Sequence, residues 1–130
     1  MNRVVHFEIQ ADDVKRAISF YGDIFGWAIN KVEGMDYWLV MTASPDSTEP
    51  GIHGGLLPRP AKTPPLECGT NAFVCTIQVE DFDAIANRIE AAGGKVALPK
   101  YALTGMAWQG YFIDTEGNTF GIHQPDPNAK

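Results

Sequence analysis

A chain of 130 residues, 45% hydrophobic and 20% charged, is long enough to bury one core without disulfides or metals, and its composition is that of an ordinary globular protein rather than a disordered one. A net charge of −6, with no run of Lys or Arg, argues against nucleic acid as a partner, and no stretch approaches the length of a membrane span. Met1 leads into a strand-like pattern without a signal-peptide profile, and the two cysteines, Cys68 and Cys75, form no CxxC pair, so the expectation is a cytoplasmic protein with reduced thiols.

Val4 to Gln10 alternates in the manner of a strand, with Val4, His6, Glu8 and Gln10 on one side and Val5, Phe7 and Ile9 on the other. A helix is predicted next. Asp12 or Asp13 suits its N-cap, Val14, Ala17, Ile18 and Tyr21 form an apolar stripe, and Gly26 supplies a left-handed stop. Strand-like runs follow at Trp27 to Val32, Tyr37 to Thr42 and, rich in glycine, Gly51 to Leu57. The first unit is placed at residues 1–57 and a proline-rich linker at 58–69.

The same order then begins again. Ala72 to Val79 reads as a strand apolar enough to be buried on both faces, and Glu80 or Asp81 caps a helix striped by Phe82, Ile85, Ala86 and Ile89 that ends at Gly93-Gly94. Lys95 to Leu98, Gly110 to Asp114 and Asn118 to Gln124 supply three more strands, with Thr115-Glu116-Gly117-Asn118 as a hairpin turn. The second unit spans 70–124 and a polar tail 125–130. Gln10-Ala11-Asp12-Asp13-Val14 can be laid directly over Gln78-Val79-Glu80-Asp81-Phe82, which marks an internal duplication. The fold class is therefore α+β, with tandem βαβββ units forming a cupped mixed sheet, helices outside and a ligand cleft inside.

Five sets of segments stand out: His6-Phe7-Glu8 with Asp13, Ala17-Ile18-Ser19-Phe20-Tyr21 with Phe25-Gly26-Trp27, Gly54-Gly55-Leu56, Ala91-Ala92-Gly93-Gly94, and Asp114-Thr115-Glu116-Gly117-Asn118 leading to Phe120-Gly121. Together they resemble the vicinal oxygen chelate superfamily, which includes glyoxalase I, bleomycin-binding proteins, fosfomycin-resistance enzymes and extradiol dioxygenases. The resemblance implies a fold hosting several chemistries, a homodimer, and in many members a divalent ion held by side chains from the first and last strands of each unit. His6, seven residues before Asp13, matches the first ligand position. The counterpart seven residues before Asp81 is Val74, and the position four residues after Gly117 is Gly121; neither can bind a metal. His53 is the nearest candidate on the remaining strand. The strand Tyr37-Trp38-Leu39-Val40 and the Gly51 to Leu57 segment resemble a subgroup that generally lacks the full ligand set.

Three chemistries stay open. A divalent-metal-dependent lyase, isomerase or dioxygenase would hold Zn, Fe, Ni or Mn with His6, His53 and His123, and Glu8 as an oxygen ligand. A metal-free binding protein would enclose a small organic molecule, a cation by preference, among Trp38, Met41, Tyr101, Met106 and Trp108, with Tyr37 nearby. A metal-free enzyme would use Glu8 and His6 for proton transfer. The favoured reading is a small-molecule binder or enzyme without a complete metal site.

Overall fold

The structure is a computed structural model that describes residues 6–60, 62–63, 65–66 and 74–130. Val4 and Val5 of the first expected strand, Ala72 and Phe73 of the fifth, and Cys68 lie outside the described residues. The fold is α+β and repeats a βαβββ order twice. β1 (Phe7–Ala11), α1 (Val14–Phe25), β2 (Ala28–Lys31), β3 (Trp38–Met41) and β4 (Gly54–Pro58) precede β5 (Thr76–Gln78), α2 (Phe82–Ala91), β6 (Lys95–Leu103), β7 (Ala107–Ile113) and β8 (Thr119–Pro125). The chain divides into two compact units, Met1–Thr63 and Pro64–Lys130.

In the first unit the sheet order is β1-β4-β3-β2, with β1 parallel to β4 and the other pairs antiparallel. Phe7, Ile9 and Ala11 share one face with Leu56 and Val40, and α1 lies against it through Ala17, Phe20, Tyr21 and Ile24. Burying a stripe of this kind at i, i+3, i+4 and i+7 stabilises by about 1.5–3 kcal/mol for each large side chain. Asp13 is the N-cap, its carboxylate accepting from Arg16 N–H at 3.0 Å, and Gly26 (φ 70°) ends the helix in the left-handed region. The chain leaving β4 is fastened to the β1–α1 junction. Arg59 donates to the Gln10 carbonyl at 3.0 Å and pairs with Asp12, which also accepts from Thr63.

The second unit repeats the plan as β5-β8-β7-β6, with β5 parallel to β8. Asp81 is the N-cap, accepting from Ala84 N–H at 2.9 Å, and α2 buries its own Phe82 and Ile89, with Phe112, Phe120 and Ile122 of the sheet also buried. The Asp114 carboxylate accepts from the N–H groups of Glu116 and Asn118, and Gly117 (φ 80°) completes the β7–β8 turn.

Three expectations change. The strands expected at Lys95 to Leu98 and Gly110 to Asp114 extend toward each other as one hairpin, because β6 runs on through Pro99 with two register shifts and Gly105 (φ 73°) turns the chain. β5 is an edge strand with Cys75, Thr76 and Gln78 exposed, so it is not buried on both faces. The polar tail is docked: Ala129 is 2% exposed and its carbonyl accepts from Gly105 N–H, while the Asp126 N–H donates to the Met106 carbonyl.

Candidate functional site

Strand alternation separates each sheet into a helix-covered face and an opposite face, which is called open here. On the open face of the first unit lie Glu8, Gln10, Gly55, Leu57, Leu39 and Met41, and alternation adds His6 and Tyr37 just outside the strands. Adjacent glycines in β4 serve the two faces separately. A Cβ at Gly54 would stand 2.6 Å from the Phe7 ring, and one at Gly55 would fall inside the Tyr37 phenol. Gly54 thus admits the aromatic cluster of Phe7, Trp27 and Tyr21, and Gly55 lets the Tyr37 ring cross the sheet toward β1.

There Tyr37 joins the two residues that the sequence singles out for proton transfer. Its hydroxyl donates to Glu8 Oε1 at 3.0 Å and lies 2.8 Å from His6 Nε2. A hydroxyl has one proton to give, so the second bond runs from His6 Nε2–H to the phenol oxygen. Burial, then the hydrogen bond and charge of Glu8, raise the Tyr37 phenol above its ordinary 10.0. The phenol stays protonated at neutral pH and completes a chain from imidazole to carboxylate.

On the open face of the second unit, Thr76, Gln78, Gln109, Tyr111, Gly121, His123 and Tyr101 share one side by register. His123 Nδ1 is 2.9 Å from the amide oxygen of buried Gln109, and since that oxygen only accepts, the ring carries its proton on Nδ1. Tyr101 hydrogen-bonds Tyr111, and burial followed by this neighbour raises the Tyr101 phenol.

The other sequence candidates divide by register. Met41 and Tyr101 are on open faces. Trp38 is on the helix-covered side beneath the Lys31 ammonium, 5.2 Å away. Trp108 is likewise on the helix-covered side, donating to Asp126 at 3.0 Å with the Lys100 ammonium 4.8 Å from its ring. Met106 is 66% exposed at the hairpin tip. Bulk, and for Trp108 a loop-like setting as well, singles these three out in the sequence; strand parity decides which way the two tryptophans point. Tyr37 as a bridge and the pair Gln109 and Tyr111 carry the polar groups that sequence reasoning passed over, and the alternation of Trp108-Gln109-Gly110-Tyr111 is the signal for the latter two.

The fit to a metal can be tested position by position. Gly55 stands opposite Glu8 as Gly121 stands opposite Thr76, so Gly55, rather than His53, is the internal counterpart of Gly121. His53 Nδ1 accepts from the Thr42 N–H at 3.1 Å, which spends the lone pair of the neutral ring. Among the described residues no three His, Cys, Asp or Glu side chains come together as a metal-holding group, and Val74, Gly55 and Gly121 offer none. These residues do not fit the ligand set that the resemblance implies.

The family model for the Glyoxalase/Bleomycin resistance protein/Dioxygenase superfamily matches residues 3–122. No curated protein matches the chain. Among solved structures, the fosfomycin resistance protein FosX from Listeria monocytogenes is 16% identical with a TM-score of 0.73, covering 97% of this chain and 93% of that one. A mutant of that FosX, complexed with Mn(II) and 1S,2S-dihydroxypropylphosphonic acid, is 17% identical with a TM-score of 0.70, covering 95% and 90%. A glyoxalase-related enzyme from Fulvimarina pelagi is 17% identical with a TM-score of 0.67, covering 95% and 88%. At such identities the structural likeness speaks for the fold alone. The family match, which takes in both βαβββ repeats, shows that the chain belongs to the Glyoxalase/Bleomycin resistance protein/Dioxygenase superfamily.

Proposed function

We propose that the protein binds a small organic molecule against the open face of its first unit's sheet and moves a proton on it through His6, Tyr37 and Glu8, without an ion at the family's metal positions. The observation that carries this reading is the single phenol joining an imidazole to a carboxylate across Gly55. His6 Nδ1 takes the substrate proton, Nε2–H passes one to the Tyr37 oxygen, and the Tyr37 proton ends on Glu8. The relay leaves a substrate anion and a neutral carboxyl. Leu39 and Met41 on the same face supply apolar contact for the body of the ligand.

The Mn(II) named with FosX supports a second reading, a metal-dependent lyase, isomerase or dioxygenase using His6 with His123 or Glu8. Elemental analysis of untagged protein separates the two. Metal well below one equivalent per chain, unchanged by His6→Ala, is expected; one equivalent lost in that variant establishes the second reading instead. A fragment screen by NMR should then yield ligands whose contacts include His6 and Tyr37, and whose turnover, where present, is lost in Tyr37→Phe. A cytoplasmic homodimer completes the proposal, and light scattering giving twice the chain mass is the expected result.

A further inference from the structure

The charges on the open face of the first unit are few enough to follow through a proton transfer. Within the strands, Glu8 is the one charged residue that register places there, among Gln10, Asn30, Leu39, Met41 and Leu57. The neighbouring cations are held elsewhere. Lys31 lies on the helix-covered side, 3.5 Å from Asp36 and over the Trp38 ring. Arg59, just past β4, donates to the Gln10 carbonyl and pairs with Asp12. A substrate that starts neutral and loses a proton to the relay therefore ends as an anion with no Lys or Arg of these strands beside it. The two donors that could steady such an anion, the Tyr37 hydroxyl and His6 Nε2–H, are already engaged within the relay itself. A substrate that starts as an anion meets Glu8 as a like charge from the outset. One that carries a positive charge beside its acidic carbon is drawn to Glu8 at rest and brings the counter-charge that this face lacks.

We infer that the substrate is an organic monocation whose acidic C–H lies next to its positive charge, with an apolar body against Leu39, Met41 and Leu57. The inference rests on the proposed function, because it names the class of substrate on which the same relay acts. In the step the C–H bond breaks, its electron pair stays on the substrate beside the cationic nitrogen, and the proton ends on Glu8 by way of His6 and Tyr37. The substrate becomes net neutral as the carboxylate becomes a carboxyl, so the two opposite charges disappear together. Return of the proton restores both, and no further reactant is needed.

Phenacyltrimethylammonium is the probe, with acetophenone as the neutral compound that shares its phenyl ketone and para-acetylbenzoate as the anion. Each is titrated into the isotopically labelled full chain, and exchange of its α-hydrogens in heavy water is followed by NMR and divided by the rate in buffer alone. The cation should shift the His6, Leu39 and Met41 signals and show the largest exchange above buffer. Glu8 is exposed, so Glu8→Gln should weaken the cation only about fivefold, and it should leave acetophenone unchanged. Tyr37→Phe keeps the carboxylate, so it should keep the cation's affinity and lose the exchange. The inference is overturned if the cation's affinity is the same in Glu8→Gln, or if para-acetylbenzoate binds more tightly than the cation. Exchange of acetophenone that equals the cation's and is lost in Tyr37→Phe refutes the monocation and leaves the relay standing. If none of the three compounds shifts His6, Leu39 or Met41, both fall.

Discussion

Tyr37 acts through where its hydroxyl sits, and that depends on the residue beneath it. A methyl at position 55 would occupy the space of the phenol, so Gly55→Ala must evict the ring, whereas Tyr37→Phe removes only the oxygen. Both variants break the link between His6 and Glu8, but only the first disturbs packing. For the same reason Glu8→Gln should bring the Tyr37 titration down toward 10.0 without reaching it, since burial is the larger cause of the shift and the carboxylate the smaller. Ultraviolet titration against the wild type and Tyr37→Phe isolates this one tyrosine. An unmoved titration in Glu8→Gln would remove Glu8 from the relay. His6 and Glu8 were legible as candidates because they alternate on one strand; Tyr37 as their bridge was not, because a contact spanning 29 residues depends on register and on a neighbouring glycine.

At the level of elements, both helices begin with the same device. Asp13 and Asp81 have extended backbones, φ −124° and −134°, and each caps the N–H three residues on; the residue two positions earlier, Ala11 or Val79, is buried at the end of the preceding strand. Asp13→Ala and Asp81→Ala should each cost about 1 kcal/mol, read from urea midpoints, and the double variant should lose the sum because each caps its own helix. Glu80 and Asp12 were equally plausible caps on composition, and geometry chose the residue whose carboxylate reaches back over the first turn. Helix existence, the glycine stops and the duplication were readable because they depend on local periodicity and positive φ. The long hairpin of β6 and β7 was not, since Pro99 and Gly105 look like loop punctuation until cross-strand pairing is known.

Across the whole molecule the duplication extends to what the two sheets display. By register, Glu8 and Gly55 correspond to Thr76 and Gly121, and Tyr37 corresponds to Gln109, so each unit bends one polar side chain over a glycine in its last strand. One copy presents an imidazole–phenol–carboxylate chain and the other a pair of neutral donors. Tyr37, Tyr101, Cys75 and Asp126 contribute to how stability responds to pH. Tyr37 and Tyr101 are raised above 10.0 and Cys75 above 9.0, so the folded state holds these protons more firmly than the unfolded chain does. Their contribution is whole below those ordinary values and is lost as pH climbs through the folded ones. Asp126 is lowered from 3.8, chiefly by the Asn128 N–H and the Trp108 indole, so its contribution is whole above 3.8 and is lost as pH falls below it. Urea midpoints should therefore be level from about pH 5 to about pH 8 as far as these groups are concerned, and decline on either side. Tyr101→Phe with Tyr37→Phe should flatten the alkaline decline and leave the acid limb intact, while Asp126→Asn should do the reverse. An alkaline decline as steep in the double phenylalanine variant as in the wild type would mean that other groups carry it.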